Sequence, residues 1–221
     1  MADQPKKKFY DTAVSPKARA VYPRLNTPDT TFKAEGRYST KIRMSEDEAK
    51  AFLQKFEVIS EENFAAVVAA HSNDIDKKTG KALPPPTNDG LPFQLEIDKE
   101  TKQPTGNILI SFSCNASYKD KTGKVQTIKP GIRDSKNTPI DVKVGGGSLI
   151  KVAFQPAPYY TESSRKAGVS FRIQAVQIIE LCKFGEVNFA EEEEGYVGQV
   201  EAPSKEGNET SVPQATGAGS F

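Results

Sequence analysis

The 221 residues are 36% hydrophobic and 27% charged, with no tryptophan and a formal net charge of +1, which fits one folded domain with polar sequence attached. The longest apolar runs, AVVAA and VQIIEL, are far too short to span a bilayer, and no apolar segment follows the basic cluster of MADQPKKKFY, as a secretory leader requires. The small net charge hides two opposed blocks: eight acidic residues and one lysine from Glu186 onward, net −7, and 29 basic against 21 acidic residues, net +8, in the other 185.

Residues 1–16 read as a flexible basic arm, with Lys6, Lys7 and Lys8 together. Residues 17–185 read as the folded domain. In GRYSTKIRMS, Tyr38, Thr40, Ile42 and Met44 alternate with Arg37, Ser39, Lys41 and Arg43, which predicts a strand with one core face and one cationic face. Ser45 and Glu48 then form a capping box. Phe52, Leu53, Phe56, Ile59, Phe64, Val67 and Val68 recur at helical spacing to about His71, so a helical insertion is expected over 45–71, with a break near Ser60. LPPPTNDG is a Pro-rich loop that interrupts regular structure.

Beyond that loop, strands are expected at 93–98, 107–118, 125–133, 140–144, 148–155 and 168–182, with DKETKQPTG and YKDKTGK as hairpin tips. The apolar parity of GVSFRIQAVQIIELCKF changes at Ala175–Val176, which predicts a bulge. Short, bent, antiparallel strands around one helix predict a mainly β chain with an OB fold, a five-stranded Greek-key barrel with extra strands; a sandwich is the alternative. Residues 186–221 read as a disordered acidic tail ending in Phe221.

Catalysis finds no support. His71, the one histidine, falls at the expected helix end, and there is no nucleophile elbow, P-loop or zinc spacing. VGGGSLIK lacks the Gly-Lys-Ser/Thr of a phosphate loop and reads as a tight strand connection. Cys114 and Cys182 sit far apart and read as partly buried thiols of a reducing compartment. No cofactor, metal or membrane is expected. A nuclease using Glu96, Asp98 and Glu100 as metal carboxylates is the least favoured alternative.

Binding has more to work with. A basic body beside an acidic segment is the charge layout of a polyanion binder, or of a solvated surface with a solubility tail. Non-specific recognition of single strands needs cations along the phosphates and aromatic faces on which bases stack. Arg37, Lys41 and Arg43 share one strand face; Tyr118 adjoins Lys119 and Lys121; Lys151 and Arg172 point outward from core strands. In PAPYYTESSRKAG two prolines stiffen a loop that presents Tyr159 and Tyr160 beside Arg165 and Lys166. Tyr38 completes the aromatic set, although its parity with Ile42 and Met44 favours packing. An adaptor barrel that docks an acidic protein on its basic face is the alternative.

GGGSLIKVAFQPAPY, then AGVSFRIQAVQIIELCKFG and an acidic segment with GYV, resembles the single-stranded DNA-binding replication proteins of T-odd coliphages. Weaker similarity runs back through LPF, CNASYKDK and DSKN into GRYSTKIRMS, covering roughly 17–198. The resemblance implies an OB fold, binding of single-stranded DNA without marked sequence preference, and work in phage replication, recombination and repair in the cytoplasm of an infected bacterium. It implies that Tyr159 contributes to DNA binding, that Thr161 replaces a second aromatic for which Tyr160 substitutes, and that Glu35 replaces an arginine with Arg37 compensating. It further implies a homodimer or cooperative assembly on DNA. The tail, through Phe221, would meet the replicative DNA polymerase and the primase-helicase, although the acid-free last twelve residues depart from the family's dense acidic ending.

Overall fold

A computed structural model describes residues 10–182 except 32 and 121. Lys6, Lys7 and Lys8 of the expected arm, Lys121, and the acidic tail with Phe221 lie outside the described residues, whereas residues 10–16 of that arm are described and include a strand at Ala13–Val14 and the buried Ser15 in place of the flexible segment expected. Eleven strands and one helix follow in the order β1 (Ala13–Val14), β2 (Ala18–Asp29), β3 (Arg37–Ser45), α1 (Glu46–His71), β4 (Thr87–Gly90), β5 (Phe93–Ile97), β6 (Pro104–Asn115), β7 (Ser117–Lys119), β8 (Val125–Thr127), β9 (Gly131–Arg133), β10 (Leu149–Thr161) and β11 (Lys166–Glu180).

Strands β10, β2, β3, β6 and β11 pair in that order, and β11 pairs back onto β10, so five strands close on themselves. The β6–β11 step of the ring is parallel and the other four are antiparallel. This is the small closed barrel expected from the sequence, with β1, β4, β5 and β9 added around it and β7–β8 as a separate hairpin. Closure removes the unpaired edges that an open sheet of these strands would expose.

The helix closes the barrel. Its capping box forms as read from Ser45 and Glu48, and it runs unbroken through Ser60, whose buried hydroxyl has no hydrogen-bond partner. Phe52 and Phe56 meet Phe154 and Phe171 edge-on, at ring-centre distances of 5.1–6.3 Å. Phe112 packs on the same pair from β6. Edge-to-face pairs add about 0.5–1.5 kcal/mol each beyond burial, so this cluster welds α1 to three walls of the barrel.

Several expected strands change on folding. The stretch 140–144 is not a strand, because the Asn26 amide takes the place of a neighbouring backbone: its Nδ2 donates to the Val142 carbonyl at 2.8 Å and its Oδ1 accepts from the Val144 N–H at 3.1 Å. The expected strand 125–133 splits into β8 and β9 around Pro130, which has no N–H to donate. The end of the Pro-rich loop forms β4, parallel to β11. The supposed loop around Pro156 and Pro158 is instead the far half of β10. Both prolines share one parity, and over 155–161 β10 pairs with β11 alone, so the missing N–H groups fall on an edge without a ladder. The predicted bulge is present one residue earlier, with Gln174 as the extra residue opposite Ala153–Phe154. Of the two thiols, Cys114 is half-buried and its pKa is pushed up to about 11 by burial, whereas Cys182 is exposed.

Candidate nucleic-acid interface

The β3–β6 ladder runs without irregularity from Arg37↔Asn115 to Ser45↔Asn107. A nine-pair register keeps side-chain alternation intact on both strands. Tyr38, Thr40, Ile42 and Met44 are buried, and Arg37, Ser39, Lys41 and Arg43 face outward, with Ser113 and Ser111 of β6 opposite Ser39 and Lys41. Small serines on one strand and long cations on the other leave a depression. Tyr22, Asp29, Lys33, Arg37, Ser39, Lys41, Ser111 and Ser113 line this groove, which has a volume of about 340 Å³.

The cations on this face of β3 are held in two ways. Arg37 donates through Nη2 to the Ser113 hydroxyl, and Lys41 donates to Gln94 Oε1 at 3.0 Å. Both partners are neutral, so they position the cations without cancelling their charge. Arg43 instead pairs with Glu96. Burial alone would raise the Glu96 pKa, but hydrogen bonds from Arg43, Asn107 and Thr105 together hold it below the ordinary value. Arg43 is thus neutralised where it stands. Lys33 sits in the β2–β3 loop, which Gly36 ends with φ +76° and an N–H···O bond to the Lys33 carbonyl. A Cβ at Gly36 would lie 2.9 Å from Pro28 Cβ, so the loop needs glycine there.

Tyr22 was not among the residues expected from the sequence. Alternation with the buried Ala18 and Ala20 would turn it inward. However, Val21 pairs with Lys41 and Arg24 with Ser39, so β2 spends three steps against two on β3. The bulge turns Tyr22 outward, 66% exposed, and returns Leu25 to the core. It does so with Tyr22 at φ +49°, a left-handed conformation that a bulky residue adopts only under constraint.

Residues 17–181 match the family described as single-stranded DNA-binding protein, bacteriophage T7. The chain belongs to that family. The single-stranded DNA-binding protein of enterobacteria phage T3 is 27% identical over 219 residues, which cover 92% of this chain and 91% of that one. Its counterpart in Escherichia phage T7 is 33% identical over 150 residues, covering 64% and 62%. The crystal structure of gp2.5, the phage T7 single-stranded DNA-binding protein, aligns with a TM-score of 0.62 at 22% identity. The alignment spans 83% of this chain and 99% of that chain, a likeness of fold.

In this T7-type phage protein the β10–β11 tip, where the sequence placed Tyr159, Tyr160, Arg165 and Lys166, is tied to the body of the protein. Arg165 is buried. It donates to Asp74 at 3.0 Å and to the His71 carbonyl, locking the helix end to the hairpin, so it is not presented to a phosphate. The Tyr160 ring lies against His71, with centres 4.5 Å apart and planes 24° apart, which occupies one of its two faces. Tyr38 is only 5% exposed and packs in the barrel, so it offers no face. The placements of Arg165 and Tyr160 depart from the sequence reading, whereas Tyr38 packs as its parity with Ile42 and Met44 favoured.

Tyr159 and Lys166 meet at Asp89, with Tyr159 Oη at 2.6 Å and Lys166 Nζ at 3.0 Å. The Tyr159 hydroxyl, and then Lys166, hold the Asp89 pKa below its ordinary value, while burial and the nearby carboxylate push the phenol up to about 12. The Tyr159 ring lies across Gly168, its cross-strand partner. Tyr118, 50% exposed, and Lys119 stand on the separate β7–β8 hairpin, and half-buried Lys151 and exposed Arg172 on β10 and β11. None of these residues lines the groove. Glu35, at the position the resemblance gave to an arginine, is exposed in the β2–β3 loop, one residue from Gly36.

Proposed function

We propose that this chain coats single-stranded DNA without sequence preference during phage DNA replication, recombination and repair in the cytoplasm of the infected host. The observation that carries the reading is the groove on the outer face of β2, β3 and β6. Three cations line it against one carboxylate, and two of them are held by neutral hydrogen-bond partners that leave their charge for phosphates. The strand 2–3 face is where OB barrels take oligonucleotides, and the relatives from phages T3 and T7 are named single-stranded DNA-binding proteins. The acidic segment from Glu186 and Phe221 supplies a recruiting arm for a replicative polymerase and a primase-helicase, and the folded domain assembles as a dimer or cooperatively along the strand.

The test is a salt series on oligo(dT) with the wild-type chain and the double variant Arg37→Ala/Lys41→Ala. Every phosphate that a cation no longer neutralises lowers the slope of log K against log salt by about 0.7 on single strands, so the double variant has a slope lower by about 1.4. Equal slopes in the two proteins remove the groove from the site.

A further inference from the structure

We propose that Tyr22 is a base-stacking platform on the wall of this groove, with Lys99 as the cation beside it. The inference rests on the single-stranded DNA reading and assigns the stacking role to a residue outside the aromatic set of the β10–β11 tip. Stacking needs an aromatic face that solvent reaches, a fixed ring position and cations within one nucleotide's reach. Tyr22 meets all three. It is the most exposed of the aromatic side chains described, at 66%. Its position is set by the β2 bulge, where the backbone holds φ +49° and turns the ring out of the core parity of Ala18 and Ala20. Lys33 and Arg37 line the same groove, and Lys99 Nζ, from the β5–β6 hairpin tip, lies 6.0 Å from the ring centre.

The backbone conformation is what separates Tyr22 from an ordinary exposed aromatic. A glycine would occupy this bulge without strain, and a regular strand would bury the side chain. The chain does neither: it keeps a bulky ring in a left-handed conformation in a groove that Lys33, Arg37 and Lys41 also line. Residues held in such conformations cluster at binding sites. By contrast, the Tyr159 ring lies across Gly168 with its hydroxyl bonded to Asp89, and His71 covers one face of Tyr160.

The chain contains no tryptophan, so Tyr22→Trp introduces a single reporter at the proposed platform. Binding of oligo(dT) is expected to quench its fluorescence, because a stacked base lies on the indole. In parallel, Tyr22→Ala weakens oligo(dT) affinity roughly 5- to 160-fold, the range for losing one stacked base, with the salt slope unchanged because the cations that meet phosphates are all still in place. Tyr22→Phe retains wild-type affinity, since the ring and not the hydroxyl does the stacking. Wild-type binding together with an unquenched Tyr22→Trp, or with full affinity in Tyr22→Ala, overturns the inference and leaves the single-stranded DNA reading standing. A salt slope that falls in Tyr22→Ala also overturns it, because the residue would then act by ordering the cations. A wild-type chain that does not bind oligo(dT) overturns both.

Discussion

Replacing Gly168 by alanine puts one methyl group where the structure has no room. A Cβ there would lie 2.8 Å from Tyr159 Oη, 3.0 Å from Tyr159 Cζ and 3.0 Å from the Gly90 carbonyl oxygen. The phenol can move only by breaking its 2.6 Å bond to Asp89, and the carbonyl belongs to β4, which pairs with β11 at this point. Overpacking of this kind costs about 1–3 kcal/mol, and for a domain of this size each kcal/mol lowers the melting temperature by about 2–4 °C. Gly168→Ala is therefore expected to melt roughly 2–12 °C below the wild type, read by circular dichroism. Its Tyr159 phenol, freed from Asp89, should titrate well below about 12 in an alkaline absorbance titration. The double variant Gly168→Ala/Tyr159→Ala should recover part of the lost stability, because the ring clash goes while the Gly90 clash stays. An unchanged melting temperature and phenol titration in Gly168→Ala would refute this account of how the Tyr159 ring is seated.

Two further outcomes follow from the same geometry. Asp89 has a lowered folded-state pKa, so its contribution is present at neutral pH, begins to go as pH falls toward the ordinary value of 3.8 and is lost once the folded carboxylate is protonated. Asp89→Asn should accordingly lose less melting temperature than the wild type between about pH 6 and pH 3, and parallel pH profiles contradict this. At Tyr22, comparing Tyr22→Gly with Tyr22→Ala separates strain from the ring: relief of the left-handed penalty of about 1–2 kcal/mol exceeds the entropic cost of glycine, about 0.5–1 kcal/mol. The glycine variant should be the more stable by roughly 1 kcal/mol in urea denaturation, and an alanine variant of equal or greater stability contradicts the strain.

The parts of the fold that depend on local alternation were legible in the sequence. GRYSTKIRMS could be read face by face because β3 runs through nine unbroken pairs, and Ser45 with Glu48 marked the helix start because a capping box is confined to four residues. The bulge near Gln174 showed as a change of apolar parity. A comparable change lies in β2, where the buried set passes from Ala18 and Ala20 to Leu25, and that was the available signal for Tyr22. What stayed hidden depends on partners distant in sequence. Arg165 reads as a free cation until Asp74 and the His71 carbonyl are beside it, 91 and 94 residues away. Tyr160 reads as a stacking ring until His71 covers one of its faces. The distinction between Arg43 and Lys41 is likewise invisible, because it rests on whether β5 presents Glu96 or Gln94.

The most direct test of the groove as the DNA site is lysine footprinting of the full-length chain with and without saturating oligo(dT), using an acetylating reagent and mass spectrometry. Bound DNA is expected to protect Lys33 and Lys41 in the groove and Lys99 beside Tyr22, while Lys50 and Lys55, exposed on α1, stay as reactive as in the free protein. Lys33 and Lys41 remaining as reactive as Lys50 with DNA bound, or protection confined to Lys166 and Lys119, would contradict the central claim.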